Sequence, residues 1–175
     1  YMDEKLWGPR LHREDPLEHA VESMLVAREG PCTMTGFIYV MNQDPDKRQD
    51  HRDKLLGLYR DIDGFLMEHN PDGTFLFDEF GLAEAVFTPV FKRFWFLDYY
   101  EGFDLPDEDG LRRVSRWRAA CMAHEATKQV TEEEIVKLYY DYALGAGNGA
   151  LVSGRKVSSF AFEPDWRSRP WPPRD

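Results

Sequence analysis

The sequence predicts an all-α protein, in which a bundle of five or six helices is followed by an irregular C-terminal tail. In the segment Lys47–His69, apolar residues recur every three or four positions, which is the pattern of one buried face of a long helix. The segment Leu82–Tyr99 is apolar on nearly all sides, as expected of the central helix of a bundle. Helix-start signals at Asp15 and Thr131 mark the first and the last helix.

Length, charge and cysteine content exclude several classes of function. A chain of 175 residues with 42% apolar residues is sufficient for one well-buried domain. The net charge of −10 disfavours a nucleic-acid partner, because contacts to phosphates require a basic surface. No stretch approaches the ~20 apolar residues that cross a bilayer, so we predict no membrane span. The two cysteines form no CxxC pair, which favours a reducing, intracellular compartment.

The first helix is predicted to begin at Asp15. The segment Asp15–Glu18 combines an N-cap aspartate, a proline at the first helical position and a glutamate three residues after the cap. Gly30-Pro31 is expected to bend or break this helix, because proline has no N–H to donate to the preceding turn. We interpret the apolar segment Cys32–Met41 as continued helix, with a strand as the alternative.

The central helix is bounded by turn chemistry. The segment Asn70–Gly73 ends the long amphipathic helix, and Gly81 opens the apolar one. Pro89 lies inside the apolar helix and is expected to kink it.

The last helices follow an acidic loop. Apolar residues at spacings of three and four predict a helix from Leu111 to Cys121. The segment Thr131–Glu134 is a capping box with early carboxylates, which suit the positive end of a helix dipole. Gly145 or Gly147 is expected to provide the C-cap. The remainder has no helical period, so it is predicted to be an extended tail.

The most specific motif is the segment Phe77–Pro89. Gly81 stands at the N-cap of the central helix, and Glu84 can reach back to the Gly81 N–H, so we assign both as structural capping residues. This segment resembles the loop and buried helix in the C-terminal domain of the glutathione S-transferase superfamily. Family members carry a serine or threonine cap and an aspartate at these two positions. Leu111–Val130 also resembles the next-to-last core helix of that domain.

The resemblance implies a division of the chain into three parts. Tyr1–Leu6 resembles the last helix of a thioredoxin-like domain, and Trp7–Glu14 resembles the linker that follows it. Residues 1–14 are therefore interpreted as the end of a thioredoxin-like domain and linker, and residues 15–146 as a helical glutathione S-transferase C-terminal-like domain. Residues 147–175 form the tail. It looks like extensions carried by some plant, algal and bacterial members. The expected location is intracellular, in the cytoplasm or a plastid.

The resemblance also implies a function. In the family, the thioredoxin-like domain binds glutathione and supplies the catalytic residue, while the helical domain lines the pocket for the second substrate. The full-length protein is thus expected to catalyse glutathione-dependent transfer or reduction on an apolar electrophile, with glutathione as co-substrate. No catalytic residue carries over to this chain, which we expect to bind no glutathione and to be inactive alone.

The alternative hypothesis is a non-catalytic subunit of a larger protein complex. Its contacts would come from the aromatic and proline-rich tail and from exposed apolar surface. The expected partners are a thioredoxin-like domain upstream in the same protein, and a homodimer or a larger assembly.

Site residues follow from the same resemblance. The family lines its second-substrate pocket mainly from the first helix of this domain. This assigns substrate binding to Met24, Arg28, Met34 and Phe37, each of which has ordinary core or interface packing as its alternative.

The tail and the remaining chemically active side chains complete the sequence predictions. Phe160, Trp166 and Trp171 are candidate partner-binding residues in the tail, with packing on their own bundle as the alternative. The five histidines show no metal-ligand spacing, so no metal site is predicted. Cys32 and Cys121 lie in apolar stretches, which favours buried structural cysteines.

Overall fold

The computed structural model describes residues 10–147, 150–163 and 165–174. These residues contain helices and no strand. The α-helices, numbered in chain order, are α1 (Pro16–Val26), α2 (Glu29–Met41), α3 (Arg48–His69), α4 (Leu82–Arg93), α5 (Trp95–Glu101), α6 (Arg112–Ala123), α7 (Glu132–Leu138) and α8 (Tyr140–Ala143). A single residue separates α4 from α5 and α7 from α8. The eight segments therefore form six rods, each of which is one helix or a pair of consecutive helices. The all-α prediction with five or six helices is confirmed.

The first rod begins as the sequence predicts but ends earlier. The Asp15 carboxylate accepts hydrogen bonds from the backbone N–H groups of Leu17 and Glu18, at 2.9 and 3.0 Å. The chain leaves this helix at Ala27 and Arg28, not at Gly30-Pro31. Pro31 instead lies in the first turn of α2, where its missing N–H costs no helical hydrogen bond. The helical interpretation of residues 32–41 is confirmed, and the strand alternative is wrong.

The central apolar segment is two helices in place of one. Helix α4 continues through Pro89 to Arg93, and the interruption falls at Phe94, whose ψ is −2°. The Phe94 side chain is buried between neighbouring rods and is only 1% exposed. This segment lies in the core, as predicted. Phe87 and Phe91 are buried, and their rings lie 5.0 and 5.4 Å from that of Trp117.

Buried polar groups hold the loop that leads into α4. The Arg113 guanidinium, 1% exposed, donates to the carbonyls of Asn70 and Phe75 at 2.8 and 2.7 Å. The Asp63 carboxylate on α3 accepts the Val114 N–H at 2.8 Å, which caps the start of α6 from a neighbouring helix. These contacts fix the path of residues 70–81, and therefore the place where the central helix begins.

Helix α8 ends at a glycine whose backbone has the left-handed conformation. Gly145 has φ of +82°, and its N–H donates to the Tyr142 carbonyl at 2.9 Å. The next N–H, of Ala146, donates to the Asp141 carbonyl at 2.9 Å, which completes a Schellman motif. Of the two glycines considered for this cap, Gly145 takes the position. Asn148 and Gly149 lie outside the described residues, as do Tyr1–Pro9 with the resemblance assigned to them.

Candidate functional site

The start of α4 is built around the buried carboxylate of Glu84. Its Oε2 accepts the Gly81 N–H at 2.9 Å, and its Oε1 accepts the Leu76 N–H and the Trp117 Nε1–H at 2.8 and 2.7 Å. Gly81 has no side chain to return the bond, so only the Glu84 half of a capping box is present. One carboxylate thereby joins the loop, the central helix and α6.

A second buried carboxylate joins α1 to the same place. Glu22 is 1% exposed, and it accepts the Leu82 N–H at 3.1 Å and the Arg13 N–H at 3.3 Å. Burial raises the pKa of this carboxyl above its ordinary value, while the two backbone N–H groups act in the opposite direction. The segment before α1 thus lies against the start of α4, where the Leu11 carbonyl also accepts the Leu82 N–H at 3.1 Å.

Next to this junction lies a cavity with a volume of about 520 Å³. Its walls come mainly from four parts of the chain, with Leu11 and Phe80 at the junction itself. Helix α4 provides Ala85, Thr88 and Pro89, the segment after α6 provides His124, Ala126, Thr127, Gln129 and Val130, α7 provides Ile135 and Leu138, and the tail provides Phe160 and Phe162. Most of the lining side chains are apolar. The cavity is therefore suited to a ligand with an apolar body.

A small number of polar groups lie at the cavity. The Lys92 ammonium donates to the Val130 carbonyl at 3.2 Å and lies 4.8 Å from the Trp95 ring, and burial lowers its pKa. Arg93 at the end of α4 also lines the cavity. The His124 ring stacks on Phe80 with centroids 3.9 Å apart. The Glu134 carboxylate and the Gln129 amide line the cavity as well, so it presents polar groups of both charges beside its apolar surface and suits a ligand that carries polar as well as apolar parts.

The tail returns to its own bundle. Trp166 is 5% exposed and its short helical turn, Trp166–Ser168, packs on α7. The Lys137 ammonium donates to the Arg167 carbonyl at 3.1 Å. Trp171, 48% exposed, stacks on Tyr99 with ring centroids 5.5 Å apart. For Trp166 the structure thus shows packing within the chain, which was the alternative to partner binding.

The four residues assigned to substrate binding lie elsewhere. Met24 and Met34 are exposed on α1 and α2, by 52% and 61%. The Arg28 guanidinium lies 4.3 Å from the centre of the Phe65 ring. Phe37 packs in an aromatic cluster, with ring centroids 5.2 Å from Phe96. None of the four lines the described cavity, and their assignment to substrate binding stays a prediction.

Sequence reasoning missed the cavity because its walls are distant in the chain. In the sequence, Ala85 and Leu138 are each part of the apolar stripe of a helix. Such a stripe does not reveal whether another helix fills the space next to it. Phe160 and Phe162 carried the one available signal, since two aromatic residues in a segment without helical period are unexpected in solvent.

Neither cysteine is suited to act as a nucleophile. Cys32 and Cys121 are both buried, and neither forms a disulfide bond. Burial raises the pKa of the Cys32 thiol to about 12 and raises that of Cys121 as well. Because the reactive form is the thiolate, both side chains are inert at neutral pH. In the described residues, no group of three metal-ligating side chains is arranged to hold an ion, and no helix could cross a membrane.

Comparison with known families agrees with the architecture. Residues 46–120 match the family described as glutathione S-transferase, C-terminal domain. Over these residues, the helical bundle is thus similar to the C-terminal domain of glutathione S-transferases. The match extends from the start of α3 into α6, so α7, α8 and the tail, which provide the other half of the cavity, lie beyond it. No curated protein is similar enough to the chain to count as a match.

Proposed function

We propose that this domain holds the apolar, electrophilic substrate of a glutathione-dependent transfer or reduction. Glutathione is the co-substrate and is bound by a thioredoxin-like domain in the complete protein. In the transfer reaction, the glutathione sulfur forms a bond to the electrophilic carbon, and the leaving group departs with its bonding electrons. The observation that carries this proposal is the apolar cavity of about 520 Å³ beside the start of α4.

The character of the cavity supports a binding role rather than a catalytic one. Its volume lies within the range of small-molecule sites, which is roughly 300–1,000 Å³. An apolar lining favours the electrophile and excludes water that would compete for it. The two cysteines are buried and protonated, so the nucleophile has to come from elsewhere. This division assigns binding of the second substrate to the helical domain.

Filling the cavity tests the proposal. Ala85 lies on the cavity wall of α4, and Ala119 lies exposed on α6, away from the cavity. Ala85→Trp is expected to weaken the binding of anilinonaphthalene sulfonate by about 10-fold or more, because the indole occupies the space of the probe. Ala119→Trp adds the same side chain outside the cavity and is expected to leave the affinity unchanged.

The titration is followed by probe fluorescence, with circular dichroism to show that both variants keep the helical fold. Equal affinity of the Ala85→Trp and Ala119→Trp proteins would place the probe outside this cavity and contradict the proposal. If only the Ala85→Trp protein loses its helical signal, Ala126→Trp replaces it in the test. Ala126 lies in the short helical turn Glu125–Thr127 and lines the same cavity.

A second candidate function is a non-catalytic subunit of a protein complex. It is favoured by the apolar side chains on α1 and α2, of which Leu17 is 74% and Met34 61% exposed. Trp171 in the tail is half exposed as well. In this case, deletion of residues 148–175 releases the protein from its complex during purification from its own cells, whereas the cavity variants leave the association intact. Unchanged co-purification after the deletion would count against the tail as the contact.

A further inference from the structure

The tail segment 155–162 is attached to the bundle by one buried carboxylate. Asp141 on α8 is 3% exposed. Its Oδ2 accepts the Ser159 N–H at 2.6 Å and the Ser158 hydroxyl at 2.8 Å, and its Oδ1 lies 2.9 Å from the Arg155 guanidinium. Three tail residues, Arg155, Ser158 and Ser159, therefore meet on a single side chain.

The Ser159 hydroxyl completes this attachment. It accepts the Asp141 N–H at 2.9 Å and donates to the Leu138 carbonyl at 2.9 Å. It thereby occupies one free donor and one free acceptor at the junction of α7 and α8. Both hydrogen bonds require a hydroxyl at position 159. A shift of the tail by one residue along the bundle would therefore break them.

The other side of the segment is held by an arginine. The Arg169 guanidinium donates to the Ser159 carbonyl at 2.7 Å and also to the Ala161 carbonyl. The backbone of residues 159–161 thus lies between Asp141 on its N–H side and Arg169 on its carbonyl side. This arrangement directs Phe160 and Phe162 to the cavity, with the Phe160 ring 5.5 Å from that of Tyr139 and 5.8 Å from that of Phe162.

The two phenylalanines form a wall that is not part of the core. Phe160 is 50% and Phe162 is 54% exposed, although both line the cavity. Their exposed faces would be covered by an apolar ligand in the cavity, and the burial of this apolar surface favours binding. Nearby Val157 is 65% exposed, so beside the contact of Phe160 with Tyr139 the segment is held mainly by the hydrogen bonds of Asp141, Ser159 and Arg169.

We propose that Asp141 is a positioning residue for the cavity, which holds segment 155–162 in place so that Phe160 and Phe162 determine the size of the ligand accepted. The proposal rests on the proposed function, because it concerns the same cavity. A buried carboxylate is a weak contributor to net stability, but removing its charge leaves the tail donors unpaired. The expected consequence is a tail that detaches while the bundle stays folded.

Two series of variants test this positioning role. In the first, Asp141→Ala removes every acceptor and Asp141→Asn keeps one oxygen, with Asp109→Ala as the control in an exposed loop. Trypsin cleavage after Arg155 or Lys156 is expected to be about 10-fold or more faster in Asp141→Ala, intermediate in Asp141→Asn and unchanged in Asp109→Ala. Helical circular dichroism is expected to stay at the level of the unaltered protein.

In the second series, affinity for anilinonaphthalene sulfonate is measured. The double variant Phe160→Ala, Phe162→Ala is expected to lose affinity by about 10-fold, because the ligand no longer covers the two rings, while its cleavage rate rises far less than that of Asp141→Ala because the hydrogen bonds of the segment remain. Asp141→Ala is expected to lose affinity to the same degree and to accept bulkier apolar probes. If Asp141→Ala unfolds the bundle, Ser159→Ala provides the same test, since it removes the two hydroxyl bonds and leaves the carboxylate.

The outcomes separate this inference from the proposed function. Faster cleavage of Asp141→Ala with unchanged probe affinity would overturn the role of the tail as a wall of the site. Unchanged cleavage would overturn the attachment through Asp141. Absence of probe binding by the unaltered protein would overturn the proposed function itself, while the cleavage rates would still report on the attachment.

Discussion

Replacement of Glu84 by alanine is expected to lower the free energy of unfolding by about 3–5 kcal/mol, the largest loss we expect from a single polar substitution in this chain. The carboxylate is 1% exposed and accepts three hydrogen bonds, from Gly81, Leu76 and Trp117. Alanine would leave all three donors buried without an acceptor, and each such donor costs about 1–3 kcal/mol. Relaxation and water entry make the total smaller than the sum of three.

Urea unfolding followed by circular dichroism measures this loss. Glu68→Ala, at an exposed position near the end of α3, is the matched control and is expected to change stability by less than about 0.5 kcal/mol. Glu84→Gln is expected to lie between the two, because its amide retains one acceptor oxygen and turns an N–H₂ group toward the remaining donors. A Glu84→Ala protein as stable as the control would show that the carboxylate does not organise the start of α4.

Gly36→Ala is expected to lower the free energy of unfolding by about 1–3 kcal/mol, although alanine is the better helix former. A Cβ atom at position 36 would lie 2.3 Å from Cε1 and Cζ of the Phe94 ring, far inside van der Waals contact. Phe94 is 1% exposed at the break between α4 and α5, so its ring has no free space to enter. The substitution therefore has to separate α2 from this break.

Gly57→Ala on α3 is the control for this substitution. No heavy atom lies within 4 Å of a Cβ built at Gly57, so the same change is expected to stabilise the protein by about 0.5–1 kcal/mol through helix propensity. The thermal midpoints of the two variants should consequently move in opposite directions. In a double-mutant cycle, Phe94→Leu is expected to recover part of the loss in Gly36→Ala, and strict additivity of the two changes would argue against the contact.

The sequence was sufficient for the parts of the fold that depend on local chemistry. The Asp15 cap, the stripe of α3 and the left-handed glycine at 145 are found where propensity and spacing place them. One break was located wrongly and a second was not predicted, for a shared reason. The chain turns at Ala27–Arg28 and at Phe94, where neighbouring rods determine the path, whereas Pro31 occupies a position at which a helix tolerates it.

The site was less accessible to sequence reasoning. The cavity is lined by Ala85, Leu138 and Phe160, which are far apart in the chain and which the sequence pattern presents as ordinary apolar residues. The attachment of the tail depends on Asp141 and Ser159, two common polar residues that acquire their roles only because α8 and the tail meet. The functional prediction therefore came from a family resemblance, and the place of ligand binding came from the packing.

Methyl NMR of isoleucine-labelled protein tests the location of the ligand site most directly. The chain has three isoleucines, and each reports on a different region. Ile135 lines the cavity, Ile38 is 44% exposed on α2 near Met34, and Ile62 is buried in the core. On titration with anilinonaphthalene sulfonate, the Ile135 methyl signal is expected to shift with saturation while the other two stay in place. A saturable shift at Ile38 with Ile135 unchanged would place the ligand on the α1–α2 face and contradict the assignment of the cavity.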